Sequence, residues 1–261
     1  MGWLTARTEL FFPLLLIVLM LVVEFGWWLR QRSSDTDAER QSLVDSARDG
    51  LIVLLGLLLG FSLPMVLPHY EQRAQLVIDE ATKIAAAEQL GQMLPDPFRG
   101  KILQLLREYV DARIEFVSAG ADESKILSTI DLAKNLQYEM WQQSIILVQQ
   151  KPNVVTPLFT QTLAGLAGVA EESLAAEEKR VPQPIWMVLV VISVLTCFVV
   201  GYSMRRRMLL AMLVLPLTVA IVLSLVAELD NPRTGFVRMD LQSLQRLQLD
   251  LKADVPPNPA P

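Results

Sequence analysis

The chain has 261 residues, 52% of them hydrophobic, and 28 acidic residues against 23 Lys and Arg give a formal net charge of −5. The apolar content is too high for an ordinary soluble domain, which carries about 45–50%. An acidic balance without a basic stripe argues against nucleic acid as a partner. The single cysteine, Cys197, excludes an intramolecular disulfide and a CxxC-type metal site.

Four long apolar stretches predict membrane-spanning helices, since about 20 apolar residues cross a bilayer core of about 30 Å. None of them alternates in polarity, which excludes membrane β-strands. The first is too long for a signal-peptide core, and Trp27 and Trp28 follow it where a cleavage site would carry small residues. We therefore expect a retained helix with interfacial aromatic anchors. The stretches are 10–29, 51–67, 185–203 and 208–227.

The spacing of these stretches predicts two helical hairpins around a polar middle. A short charged connection, 30–49, joins the first pair, and a tighter one with Arg205, Arg206 and Arg207 joins the second. The predicted fold is an all-α membrane protein with four transmembrane helices and a helical extramembrane domain between the second and third. The predicted divisions are 1–67 for the first hairpin, 68–184 for the extramembrane domain, 185–229 for the second hairpin, and 230–261 for a C-terminal segment with a disordered Pro-rich tail.

The middle region predicts helices throughout. A helix over 70–93 continues from the second membrane span, and apolar residues at helical spacing predict another over 97–120. Asp122 is the expected N-cap of a helix over 121–150, and Pro157 lies in the first turn of a helix that reaches about residue 179. For the 121–150 helix the pattern predicts these inward side chains: Leu127, Ile130, Leu136, Met140, Trp141, Ile145 and Val148.

The second apolar stretch carries the candidate pore residues. Gly56 and Gly60 have the spacing that permits close helix approach. Two interpretations are equally favoured: tight packing with a proline kink, or a pore-lining helix that turns exposed carbonyls and Ser62 towards water. The pore-lining candidates are Gly56, Gly60, Phe61, Ser62 and Pro64.

Two polar clusters at the membrane exits supply the other candidates. The first holds the pore-mouth residues His69, Tyr70, Glu71 and Arg73. The second follows the last span and holds Asp230, Pro232, Arg233 and Gly235. We favour a structural role for their charges, with Arg73 or Arg233 paired with Asp230 to buttress the helices.

Catalytic and metal-binding patterns do not stand out in the sequence. His69 is the only histidine, and there is neither a nucleophile elbow nor a phosphate-binding glycine loop. The acidic pairs Asp79-Glu80 and Glu171-Glu172 are interpreted as solvated helix surface. We expect neither an enzyme, nor a metal site, nor a cofactor.

Three ordered motifs resemble those of the bestrophin-like bacterial membrane family, over about residues 50–247. The resemblance weakens at 82–87, where TKIAAA replaces a more polar run. The motifs are Leu58-Leu59-Gly60-Phe61-Ser62 with Tyr70-Glu71-Gln72-Arg73, then Leu94-Pro95-Asp96-Pro97-Phe98-Arg99, and Asp230-Asn231-Pro232-Arg233-Thr234-Gly235.

The resemblance implies a function, because the bestrophins are pentameric chloride channels with a pore lined by the second helix. It implies a homo-oligomeric, anion-conducting channel of the bacterial cytoplasmic membrane, with Phe61 as a hydrophobic constriction. Its partners would be membrane lipid, further copies of the chain and small inorganic ions. Bestrophins carry their large domain in the cytoplasm, whereas Arg205–Arg207 favours the opposite orientation. The alternative is a non-conducting membrane scaffold or sensor whose helical domain binds a partner protein.

Overall fold

The computed structural model describes residues 8–32, 38–120, 122–150, 154–204, 206, 209–231 and 240–253. These residues form helices and no strand, so the predicted all-α class is confirmed. The helices are α1 Thr8–Arg32, α2 Ala38–Gln92, α3 Phe98–Ser118, α4 Glu123–Gln150, α5 Val155–Glu178, α6 Gln183–Ser203, α7 Leu209–Asp230 and α8 Gln242–Ala253.

Four parts of the chain are long and apolar enough to span a membrane: Leu10–Arg32, Glu39–Gln92, Val155–Ser203 and Met212–Asp230. The predicted arrangement of these spans as two hairpins stays a prediction. The chain divides into two compact units. The membrane unit comprises residues 1–70 and 180–237, and the helical unit comprises 71–179 and 238–261.

Helix α2 is a single helix of 55 residues. Its predicted continuity from the second apolar stretch into 70–93 is confirmed. The prediction of a connection over 30–49 is wrong for 30–32, which end α1, and for 38–49, which begin α2. The reason for the helix at 38–49 is local: polar and charged residues there form helix-spaced pairs, with Gln41 donating to Asp45 at 3.3 Å and Arg48 to Asp45 at 3.2 Å.

The membrane unit has an apolar core to which all four spans contribute. Helix α1 packs most extensively against α6 and also against α7. At the crossing of α1 and α6 the backbones meet at two glycines. A Cβ added to Gly201 would lie 2.1 Å from the carbonyl oxygen of Val23, and one added to Gly26 would lie 2.3 Å from that of Phe198. The core residues are Leu19, Val23, Leu55, Leu59, Leu189, Cys197, Met212, Val219, Ala220 and Leu223.

The helical unit buries the C-terminal part of α2 against α3, α4, α5 and α8 in one core. Helix α8 was not predicted, although Leu244, Leu247 and Leu251 recur at helical spacing and are all buried. The other boundaries agree within a few residues. Asp122 caps α4 as predicted, because its Oδ1 accepts hydrogen bonds from the backbone N–H groups of Ser124 and Lys125.

The inward face predicted for α4 is wrong in part. Leu136 and Met140 are buried, but Leu127, Trp141, Ile145 and Val148 are exposed. The helix instead packs through a stripe of smaller and polar residues, which includes Thr129, Ala133 and Ser144. Helix α4 therefore has a buried stripe of mixed polarity beside an exposed stripe of bulkier apolar residues, and hydrophobicity alone favoured the bulkier one.

Candidate pore helix and its supports

One face of α2 is exposed and uncharged over nearly 20 residues. At 3.6 residues per turn its members lie within one half of the helix. Val53 is 72% exposed and Phe61 66%, and a Cβ on Gly56 or Gly60 would have no atom within 4 Å. We call this surface the open face. It consists of Gly50, Val53, Gly56, Leu57, Gly60, Phe61, Pro64, Leu67 and Pro68, all of which are exposed.

The open face also carries backbone polarity. Pro64 and Pro68 lie inside the helix and have no N–H group to donate to the carbonyls four residues earlier. The carbonyls of Gly60 and Pro64 therefore lack their usual helical donors, and Gly60 has no side chain to cover them. Such groups are costly in hydrocarbon and are tolerated where they line a water-filled cavity or are buried in protein. This chemistry distinguishes the open face from an ordinary lipid-facing surface.

Ser62 does not share the open face. It projects from the opposite side of α2, is 3% exposed, and its Oγ donates to the carbonyl of Leu59 at 2.7 Å. With Phe61, Pro184 and Leu189 it lines an apolar cleft of about 300 Å³ within the membrane unit. Among the pore-lining candidates, the structure brings Gly56, Gly60, Phe61 and Pro64 to one surface and directs Ser62 into the packed side.

The candidate pore-mouth residues divide in the same way. Glu71 continues the open face and is exposed, whereas His69 and Tyr70 are half-buried. Arg73 is 3% exposed: its Nε donates to the carbonyl of Ala176 at 3.0 Å, and its Nη2 to that of Lys179 at 2.5 Å. A guanidinium at the C-terminal carbonyls of α5 satisfies orphan acceptors and complements the helix dipole.

Asp230 belongs to the second predicted cluster, the one that follows the last span. It is 7% exposed, and its Oδ1 accepts a hydrogen bond from the backbone N–H of Val181 at 2.9 Å. This bond ties the end of α7 to the residues that lead into α6. Pro232, Arg233 and Gly235 lie outside the described residues, and the pairing of Asp230 with Arg73 or Arg233 stays a prediction.

Sequence reasoning missed a charged network in the core of the helical unit. Glu80, interpreted as solvated, is fully buried, and that interpretation is wrong. Both carboxylate oxygens of Glu80 meet Arg113, with Nε at 2.7 Å from Oε1 and Nη2 at 2.7 Å from Oε2. The Tyr109 hydroxyl donates to Oε1 at 2.6 Å and accepts from Gln137 at 3.0 Å. Arg113 also reaches Ser173 at 3.3 Å, so the network joins α2, α3, α4 and α5.

The network fixes the charge states of Tyr109 and Arg113. Burial and the neighbouring Glu80 carboxylate raise the pKa of Tyr109 well above its usual value, so the phenol stays protonated. Burial acts to lower the pKa of Arg113, but the Glu80 carboxylate outweighs it and the pKa is raised. A signal was present in the sequence: Val77, Glu80 and Ile84 share helical spacing, which places the carboxylate on an apolar face.

Within the described residues, no group of three or more His, Cys, Asp or Glu side chains is arranged to hold a metal ion. The open face is thus the most distinctive surface that the candidate residues form. It can offer an apolar constriction at Phe61 and backbone carbonyls at Gly60 and Pro64. In the helical unit, Arg73 and Glu80 join α2 to its neighbours, and in the membrane unit Asp230 joins the end of α7 to the residues before α6.

Solved structures share this fold. A bacterial bestrophin homologue from Klebsiella pneumoniae superposes with a TM-score of 0.59 at 15% identity, covering 94% of this chain and 99% of that one. A single-substitution variant of that homologue gives a TM-score of 0.55 at 16% identity, covering 93% and 99%. A structure described only as a membrane protein gives 0.62 at 14% identity, covering 94% and 99%. No curated protein matches the chain in sequence.

The four candidate spans and the all-helical architecture define an integral membrane protein. The family model for the bestrophin-like domain matches residues 11–244, nearly the whole chain. The chain therefore belongs to the bestrophin-like family, as its motifs predicted.

Proposed function

We propose that this protein is a homo-oligomeric ion channel of the bacterial cytoplasmic membrane, with the open face of α2 lining the pore and anions as the conducted ions. The observation that carries the proposal is the open face itself. Its prolines free the carbonyls of Gly60 and Pro64, which suit water better than lipid tails. Several copies are needed, because one open face forms only part of a wall.

Phe61 is the proposed constriction. Its ring is largely exposed on the open face, and rings from several copies around an axis would narrow the path and gate it by dewetting. The positive edges of the rings suit an anion. Glu71, at the end of the open face, disfavours anions by its charge, so the preference for anions rests on the aromatic edges and on family resemblance.

Ion flux from liposomes tests the proposal. Phe61→Ala should raise chloride efflux, since it removes the barrier; it also widens the cleft that Phe61 lines beside Ser62 but leaves the buried side chains of α2 unchanged. Ile221→Ala, which truncates another exposed apolar residue on α7, is the matched control and should leave efflux unchanged. Equal efflux from all three proteins, with an intact ring in particle images, would remove Phe61 as the constriction. Potassium flux without chloride flux would retain the channel and overturn its anion selectivity.

One observation favours the second candidate, a non-conducting scaffold or sensor. Helix α4 exposes Tyr138, Trp141 and Ile145, and an apolar cleft of about 230 Å³ lies between α4 and α5. Exposed aromatic surface of this kind often marks a protein interface. A monomer or dimer without an axial path in particle images, with no flux of either ion, would favour this function over the channel.

A further inference from the structure

An exposed row along α1 changes from aliphatic to aromatic to cationic over 12 residues. Leu21 is 63% exposed, Phe25 55% and Trp28 42%, and Arg32 is exposed as well. These residues recur at i, i+4, i+7 and i+11, so they lie on one face. The row covers about 16 Å along the helix axis. Its order matches one leaflet of a bilayer, from acyl chain through the interface to the headgroup.

Helix α6 widens this row into a surface. The close crossing at Gly26 and Gly201 brings Phe198 to 6.2 Å from Phe25, centroid to centroid, and Phe198 stacks on Tyr202 at 6.3 Å. Phe25 also stacks on Trp28 at 5.9 Å. Four aromatic rings from two helices thus form one continuous cluster.

An arginine lies at each end of the cluster. The guanidinium carbon of Arg32 is 3.9 Å from the centre of the Trp28 ring, and that of Arg30 is 5.7 Å from the Tyr202 ring. Stacking orients a guanidinium while leaving the N–H groups of its edge available for a phosphate. Neither arginine forms an ion pair with any residue that the structure describes.

Nearby acidic groups are already engaged. Arg48 pairs with Asp45 at 3.2 Å and with Asp49 at 2.8 Å, and it also approaches the hydroxyl of Ser203 at the end of α6. Asp45 and Asp49, two acidic side chains at this end of the membrane unit, are therefore compensated by Arg48. Arg30 and Arg32 place two positive charges at the rim of the aromatic cluster.

We propose that the cluster of Phe25, Trp28, Phe198, Tyr202, Arg30 and Arg32 binds the phosphate headgroup of an anionic phospholipid, with the acyl chain along the Leu21 side of the row. The positive charge at the rim and the aliphatic-to-cationic order select this occupant over a neutral lipid. The site requires a membrane protein but is independent of ion conduction, so the failure of either proposal leaves the other standing.

The test measures lipid retained by the purified full chain in native mass spectrometry. Wild type should retain phosphatidylglycerol in preference to phosphatidylcholine. Arg30→Gln and Arg32→Gln should each lower this preference, by about five-fold per arginine. Trp28→Leu keeps the apolar surface and should lower the preference by removing the stacking partner of Arg32. Arg99→Gln, which removes an exposed arginine in the helical unit, is the charge-matched control and should change nothing.

Each contrary outcome overturns the proposal. Equal retention of the two lipids by wild type would show that the surface recognises no headgroup charge. An unchanged preference in the Arg30→Gln/Arg32→Gln double variant would place any headgroup site elsewhere. Displacement of the lipid by millimolar inorganic phosphate would assign the cluster to the free anion and remove the lipid from it.

Discussion

The two units of this protein join their helices by opposite means. In the membrane unit, α1 and α6 meet backbone against backbone at Gly26 and Gly201. In the helical unit, four helices meet at a buried ion pair, Glu80 and Arg113, with Tyr109 completing it. The membrane unit uses the smallest residue at its joint, and the helical unit uses large charged ones.

The difference follows from the solvent in which each joint has to form. Between helices in lipid the hydrophobic effect is weak, so close packing at small residues supplies much of the attraction. In the helical unit, which the sequence predicts to lie outside the membrane, the apolar core would already drive association. A buried ion pair there adds a demanding geometry, because either partner alone would be an uncompensated charge. We therefore expect added side-chain volume to weaken the glycine contact of the membrane unit, and removal of one charge to weaken the ion pair of the helical unit.

Arg113→Met should have the largest effect. It leaves the Glu80 carboxylate buried without its cation and should cost about 3–5 kcal/mol of stability. Thermal melting of the purified protein in detergent measures this. Lys101→Met is the control, because Lys101 and Glu139 form an exposed pair whose loss costs about 1 kcal/mol or less.

The double variant Glu80→Leu/Arg113→Met separates charge burial from lost packing. Removing both charges should bring melting closer to wild type than Arg113→Met alone does, because no unpaired ion remains. A double variant as unstable as the single one would mean that shape, rather than charge, holds the four helices. An Arg113→Met protein that melts like Lys101→Met would contradict the role of the network altogether.

Gly201→Ala should come next. The added methyl group would lie 2.1 Å from a backbone oxygen, so α1 and α6 have to separate. Overpacking of this kind costs about 1–3 kcal/mol, occasionally more. Gly168→Ala, where a Cβ meets nothing within 4 Å, is the matched control and should melt no lower than wild type. If both variants melt alike, the close crossing is not a determinant of stability.

Sequence alone predicted the elements well because long apolar runs and helical periodicity are local signals. It predicted the joints poorly. The spacing of Gly56 and Gly60 drew attention to close packing, yet both glycines face open space, while the true contact uses Gly26 and Gly201 on different helices. No pattern within one helix identifies its partner, because the contact depends on how two distant segments cross.

The candidate site was predictable to a similar degree. The glycines and prolines of α2 identified it as the unusual helix in the sequence. Neighbouring residues point in different directions around a helix axis, and for this reason Phe61 is exposed while Ser62 is buried. Arg73 was selected for its charge, whereas its role in the structure depends on the carbonyls at the end of α5. Glu80 was misjudged because a neighbouring acidic residue, Asp79, made the pair resemble ordinary surface.

Tyr109→Phe should have the smallest effect, and its pH dependence sharpens the comparison. Losing the hydrogen bond to the Glu80 carboxylate should cost about 1.5 kcal/mol at neutral pH, the low end for a bond to a charged group. Because the pKa of Tyr109 is raised in the folded protein, the unfolded chain loses this proton first, above about pH 10. The stability contributed by Tyr109 is therefore complete below that pH and declines above it. The measurement is the melting temperature as the pH rises from about 8 to about 11, a range that brackets the ordinary pKa of tyrosine. The melting temperature of Tyr109→Phe should fall less steeply over this range than that of wild type. Tyr138→Phe, at an exposed site, should keep the wild-type slope. Identical slopes for all three proteins would show that the phenol does not differ in protonation between the folded and unfolded states, and would remove it from the charged joint.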